Sequence, residues 1–304
     1  MKKTRNFLMF VIIIMILAAC AASTPEPEEH EPEFHAHDET FQPTLQDFAR
    51  VDGSTVTIPF SEAIVAHFHG EGNEDVIDHN QTSNAIENVV TGQRDIAFVT
   101  HPSYDEVRLA QERGIELEMI PIINDAFVFI VNHQTPVNGL TTQQIQQIYS
   151  GSITNWHSVG GPDLDIVPLQ RPEGSGSQSG MQRFMGDVPL MEPPFNAVYM
   201  DMGGLVERVG AGTVYDTTEA AIGFSYFYWA NNMFVRDGIK MLAVDGVEPN
   251  NQTIQSGEYP IVVSYYAVIR ADEPEDSFAR MLLAFVLSNT GQDIVENTGY
   301  VRVR

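Results

Sequence analysis

From about residue 50 onward, short uninterrupted apolar runs alternate with longer amphipathic ones, and this alternation limits the fold more than any other feature of the chain. DIAFVT (95–100), AFVFIVN (126–132), DIVPLQ (165–170) and YYAVIR (265–270) read as buried strands. PFSEAIVAHFHG (59–70), SNAIENVVTG (83–92), TTQQIQQIYSG (141–151), SQSGMQRFMG (177–186) and SFARMLLAFVLSN (277–289) read as helices. Pro59 suits a first helical turn, and Gly70, Gly92 and Gly151 suit helix C-termini. Strands alternating with helices predict an α/β architecture with mainly parallel sheets flanked by helices. No internal repeat of solenoid period interrupts the pattern.

Ahead of this region the chain changes character. Lys2, Lys3 and Arg5 precede an apolar run from Phe7 to Leu17, too short for a confident membrane span and suited to an export signal. Leu17-Ala18-Ala19-Cys20 follows, the pattern of a bacterial lipobox, and Cys20 is the sole cysteine, so a disulfide framework is excluded. Residues 1–19 are therefore expected to be a lipoprotein signal peptide, and Cys20 a lipid-modified, palmitate-bearing anchor that holds the protein extracytoplasmically on the cell membrane. Residues 20–43 are rich in Glu, Pro and His and hold no Lys or Arg, the composition of a self-repelling tether. His30, His35 and His37 lie among acids there, but their spacing matches no structural zinc motif, and a solvated linker is the better reading. No metal and no cofactor is expected.

The 304 residues carry a formal net charge of −25, with 16 basic residues against 41 acidic ones. Nucleic acid is excluded as a partner, because a phosphate backbone needs a basic face. Any anion site must be local, built from dipoles and one or two cations.

Three stretches have the makings of such a site: GSTVTIP (53–59), NQTSNAI (80–86) and RPEGSGSQSG (171–180). Each places hydroxyl residues at or just before a helix start, where free N–H groups and a positive helix end point outward. One such start is an ordinary N-cap. Three of them, one led by Arg171, point to a shared oxyanion site. Catalytic readings are weaker. GSQSG (176–180) has Gln178 where a nucleophile elbow needs serine, and GSGSQSG lacks the lysine of a phosphate-binding NTPase loop. No catalytic residue is assigned. The aromatic run Tyr226-Phe227-Tyr228-Trp229 is expected in the core near the cleft.

RPEGSGS resembles the Arg-x-x-Gly-Ser-Gly-Thr/Ser signature of the phosphate-binding proteins of bacterial ABC transporters. DGSTVTIPFSEAI, AIGFSYFYWANNMF (221–234), LAVDGVEPNNQTI (242–254), GEYPIVVSYYAV (257–268) and LSNTGQDIVENTGYV (287–301) resemble further landmarks of that family. The resemblance implies a two-lobed, type II periplasmic-binding-protein fold with a ligand cleft between lobes. It places lobe 1 at 44–130, lobe 2 at 131–262 and a return to lobe 1 at 263–304, with crossings near Ala126 to Asn132 and Ile261 to Tyr266. It implies a receptor that captures inorganic phosphate and delivers it to ABC permease subunits, with no enzymatic step. The ligand residues it implies are Thr57 and Ile58 from the first loop, Thr82 and Ser83 from the second helix start, Thr100, and Arg171, Ser175, Gly176 and Ser177 from the signature. Receptors for other oxyanions such as sulfate or molybdate, a phosphate-ester hydrolase and a metal-scavenging surface lipoprotein are the competing readings.

One position departs from the family pattern. Thr100 stands where well-studied members carry an aspartate that accepts the proton of phosphate and so rejects sulfate. A threonine hydroxyl donates or accepts and repels neither anion, so looser selectivity is expected. Asp52, Asp125, Glu173 and Asp201 are the acids available to substitute.

Overall fold

The computed structural model describes residues 41–211, 219–234 and 237–303. The expected signal, Cys20 and nearly all of the tether lie outside the described residues. In chain order the first elements are α1 (Leu45–Phe48), β1 (Val51–Gly53), α2 (Ile58–His69), α3 (Gln81–Val90), β2 (Ile96–Thr100) and α4 (Tyr104–Glu112). A 16-residue strand β3 (Leu117–Asn132) follows, then β4 (Gly139–Leu140), α5 (Thr142–Tyr149), β5 (Asp165–Pro168), α6 (Gly176–Met185) and α7 (Met202–Gly210). The remaining elements are β6 (Glu219–Tyr226), β7 (Ile239–Met241), β8 (Ala243–Val244), α8 (Asn251–Gln255), β9 (Val262–Arg270), α9 (Phe278–Leu287) and α10 (Asn289–Asn297).

The α/β architecture is two-lobed, and one strand serves both lobes. The main sheet has the order β1-β2-β9-β3-β6-β5, with β7 added beside the end of β3. From Leu117 to Ala126, β3 pairs with β9; from Phe127 to Val131 it pairs with β6. The change of partner falls between Ala126 and Phe127. Val262, the first residue of β9, pairs with Ala126.

The expectation of mainly parallel pairing is corrected. Only β1 with β2, β5 with β6, and the small β4–β8 ladder are parallel; β9 and β3 run antiparallel to all their neighbours. The reason is topological. A strand that leaves one lobe and a strand that comes back to it point in opposite directions, so the crossing pair is antiparallel wherever it is inserted.

The apolar runs are uninterrupted because both faces of the sheet are covered. In β2, Ile96 and Phe98 pack into the main core, while Ala97 and Val99 face a second cluster formed with Ala85, Ile86, Val89, Val90 and Ala110 of α3 and α4. The first half of β3 is not announced by the sequence pattern. Pro121 breaks it, and the ladder with β9 shifts register between Pro121 and Ile123, as expected for a proline inside a strand. Among the described residues no helix is long and apolar enough to cross a membrane.

Asp125 sits at the joint between the lobes. It is buried, one residue ahead of the partner change in β3. Its carboxylate accepts the N–H of Ala126 at 2.7 Å, the N–H of Tyr228 at 3.1 Å and the hydroxyl of Tyr265 on β9. Three segments that meet at the crossing are thus tied to one side chain. Burial raises its pKa from the ordinary 3.8 to about 7, and the three donors hold it from rising further. The folded state therefore keeps a proton that the unfolded chain has released. This contribution to stability is fully present below about pH 4 and is lost as the pH rises through about 7. Thermal melts of wild type and Asp125→Asn between pH 4 and 8 are expected to diverge over that window, the wild type losing on the order of a few kcal/mol relative to the variant. Parallel curves overturn the assignment.

Candidate functional site

The arginines locate the site. Eight of the ten described arginines pair with a carboxylate, from Arg50 with Asp95 to Arg302 with Glu296. Among the described residues Arg171 and Arg183 do not. In a chain with so large an excess of acids, a cation left to neutral partners is reserved for something else.

Arg171 follows β5 and is held by backbone and hydroxyl oxygens. Its Nε donates to the carbonyl of Tyr199 at 2.8 Å, Nη2 to the carbonyl of Met200 at 3.0 Å and Nη1 to Ser177 Oγ at 3.1 Å. Its backbone N–H is fixed by Gln178 Oε1 at 2.9 Å. Burial lowers its pKa, and the charge of Asp201 pulls it partly back. The guanidinium is oriented without being neutralised, which leaves its charge for a ligand.

Around it lies a cavity of about 320 Å³, at the small end of ligand pockets, which run roughly from 300 to 1,000 Å³. Three helix N-termini converge on it. Gln81 and Thr82 open α3; Ser175, Gly176 and Ser177 cap and open α6; Asp201, Met202 and Gly203 cap and open α7. A short 3₁₀ turn contributes Thr55 and Val56, with Ser54 before it. Tyr226, Trp229 and Phe234 form an aromatic wall. Such helix starts present unsatisfied N–H groups and positive dipole ends to one point. Ser54 lines the cavity as well, and its buried hydroxyl has no hydrogen-bond partner among the described residues.

The sequence-derived residues divide three ways. Thr82, Thr100, Arg171, Ser175, Gly176 and Ser177 line the cavity together. Ser83 does not; its hydroxyl bonds Glu106 within its own lobe and the carbonyl of Gly174 across the cleft at 2.8 Å. Thr57 and Ile58 do not line it either, which corrects the first-loop assignment. Thr57 is fully buried, its Oγ1 donating to the carbonyls of Ser54 at 2.9 Å and Phe98 at 2.8 Å. The 3₁₀ turn ahead of α2 puts Ser54 and Thr55, rather than Thr57, in the cavity lining. Their signal was present in GST, the start of the same stretch. Tyr226 and Trp229 of the aromatic run expected near the cleft do line it, whereas Met200 and Phe234 were missed because they come from segments remote in sequence.

The acids divide just as sharply. Asp52 is buried below the site, accepting the N–H groups of Gly53 and Asn80 and the amides of Asn80 and Asn88; it fixes the start of α3. Asp125 is at the joint and Glu173 is outside the lining. Asp201 alone lines the cavity.

The two sides of the cleft touch closely. Thr82 Oγ1 and Thr100 Oγ1 are 3.0 Å apart, and Gly176 packs onto both. Tyr226 donates its hydroxyl to the carbonyl of Gly176 at 2.9 Å, and burial pushes that phenol's pKa well up. Further along α6, Arg183 Nη2 reaches His101 Nδ1 at 2.8 Å and donates to the carbonyl of Pro102 at 3.2 Å.

Two α/β lobes that share crossing strands and close a donor-lined cavity between them define a solute-binding protein. Residues 37–290 match the PBP superfamily domain, and the chain belongs to that family. It is similar to the phosphate-binding protein PstS of Borreliella burgdorferi, 24% identical over 257 residues that cover 84% of this chain and 89% of the relative. Protein SphX of Synechococcus elongatus is 25% identical, with 82% and 76% of the two chains covered. Among solved structures, a Clostridium perfringens substrate-binding protein described as serving a phosphate ABC transporter, with phosphate bound, superposes with a TM-score of 0.65. It is 27% identical, over 84% of this chain and 98% of that one. An ABC-type phosphate transport receptor from Vibrio cholerae shares the fold, with a TM-score of 0.62 and 22% identity over 83% of this chain and 98% of that one.

A Cβ at Gly176 would lie 2.5 Å from Thr100 Oγ1 and 2.8 Å from Thr82 Oγ1, atoms on the opposite lobe. Gly176→Ala is therefore expected to hold the lobes apart while each lobe stays folded, at a cost to anion affinity of about 1–3 kcal/mol. Calorimetric titration beside a thermal melt checks this; undiminished affinity overturns the packing argument.

Proposed function

We propose that the chain is an extracytoplasmic solute-binding protein that captures inorganic phosphate and delivers it to an ABC permease by closure of its lobes, with no covalent chemistry. The observation that carries this reading is the convergence of Arg171 with three helix N-termini on one small cavity. A dehydrated tetrahedral anion needs many fixed donors and a cation that is not already neutralised, and both are supplied there. The relatives support it: each is named for phosphate binding or transport, apart from SphX. We assign Ser54, Thr55, Thr82, Thr100, Arg171, Ser175, Gly176 and Ser177 to the ligand. In the same reading lobe 1 is built from 44–130 and 263–304, lobe 2 from 131–262, and Cys20 carries the lipid that tethers the domain to the membrane. The last point rests on the Leu-Ala-Ala-Cys run after a short apolar segment.

Calorimetry of the tether-free domain is expected to give saturable, one-to-one phosphate binding. Arg171→Ala should weaken it by about 2–5 kcal/mol, the loss seen when one partner of a desolvated charge pair is removed. Arg171→Lys should fall between, since a point charge does not reproduce the planar fork. Affinity unchanged in Arg171→Ala rules the arginine out of the site. Separately, Cys20→Ser is expected to release the protein from the membrane fraction or leave it unprocessed. A variant with wild-type fractionation and processed mass ends the lipoprotein reading.

A further inference from the structure

Every group lining the cavity donates hydrogen bonds, is neutral or is cationic, except Asp201. A carboxylate facing an anion site is costly unless it has a task, and its surroundings narrow what that task is. Asp201 caps α7, its Oδ1 accepting the N–H of Gly204 at 2.7 Å. Among the described residues Oδ2 accepts no hydrogen bond. Nor does the carboxylate serve as the counter-ion of Arg171, whose guanidinium instead grips the carbonyls of Tyr199 and Met200, the two residues just before it. Cation and carboxylate are therefore parts of one rigid piece, presented side by side to the same cavity. The other acids named from the sequence are elsewhere. Asp52 is saturated by four donors, Asp125 is sealed at the joint, and Glu173 is outside the lining. Thr100, the residue in the family's aspartate position, is neutral and paired with Thr82.

We propose that Asp201 accepts the proton of the bound anion, so that the site admits a tetrahedral oxyanion that still carries a proton and rejects one that has lost them all. The inference rests on the phosphate reading and deepens it. An O–H on the ligand turns the contact with Oδ2 into a charge-assisted hydrogen bond. An anion with no proton meets an unpaired like charge instead, a repulsion that discriminates between partners of one shape. Phosphate and arsenate keep a proton near neutral pH; sulfate and molybdate do not. Asp201 is exposed at the mouth of the cavity lining, so solvent screens the repulsion and the discrimination is smaller than in a sealed site. This replaces the loose selectivity expected from Thr100 alone.

The test is a set of titrations of the folded domain with phosphate, arsenate, sulfate and molybdate at one neutral pH, on wild type and Asp201→Asn. Asparagine keeps an oxygen for the Gly204 cap and removes the charge. Wild type is expected to group arsenate with phosphate and to bind sulfate and molybdate at least about 100-fold more weakly, a ratio well inside what hydrogen-bond matching of a ligand hydroxyl achieves. In Asp201→Asn the phosphate-to-sulfate ratio should shrink at least about tenfold, mainly through a gain in sulfate affinity. An unchanged ratio in the variant, or molybdate bound by wild type as tightly as phosphate, overturns the role of Asp201 and leaves the phosphate reading standing. A wild type that binds none of the four removes both. The wild-type ordering needs no substitution, so the proposal stays exposed to refutation even where the variant folds poorly.

Discussion

The structure depends on a single strand changing partners. β3 spends its first ten residues in one lobe, and at Phe127 begins a ladder with β6 in the other. Because the backbone is continuous through the change, the lobes are joined by a sheet rather than by a loose linker. The joint is then cross-braced by Asp125, which gathers donors from β3, from the segment after β6 and from β9. Tyr265, one of those donors, stands edge-on to Tyr226, and Tyr226 holds the carbonyl of Gly176 at the cavity. A continuous set of contacts therefore runs from the buried acid at the joint to the loop that lines the cavity.

What the joint positions is a set of dipoles. Each lobe supplies helix starts that are useless singly, since a lone N-terminus is satisfied by water or by its own cap. Brought face to face they share one volume. The close approach at Gly176 makes this work: with a side chain there, the hydroxyls of Thr82 and Thr100 could not reach the α6 N-terminus. Ser83 adds a direct bond from one lobe to the carbonyl of Gly174 in the other, so closure gains a contact as well as a ligand.

Legibility in the sequence followed sequence distance. The Arg171 to Ser177 segment was readable because cation, cap and helix start fall within seven residues and reach the cavity as a unit. The strands flanked on both faces were readable because they are uninterrupted. Asp201 and Phe234 carry no local signature; only the fold brings them to the cavity, and a capping aspartate looks the same whether or not it faces one. The first-loop error had a local cause, a 3₁₀ turn that exchanged Thr57 for Thr55 and Ser54. The parallel-sheet expectation failed because alternation of strands and helices describes each lobe and is silent about the strands that cross between them.

A net charge of −25 opposes the approach of an anion, and the geometry resolves the conflict. The attraction at the cavity comes from helix ends, whose effect fades within about a turn, and from one guanidinium set among neutral partners. Beyond a Debye length of about 8 Å at physiological salt, neither this field nor that of the distant acids is felt strongly. An anion is therefore not steered in from afar, as it would be by a basic surface. The attraction acts inside the cavity, where the helix starts and the guanidinium converge on one small volume. Most of the other arginines are pinned to carboxylates, which keeps the remaining surface from offering a competing site. Under that arrangement speed of encounter is given up, and the attraction is concentrated in the cavity that Arg171 lines.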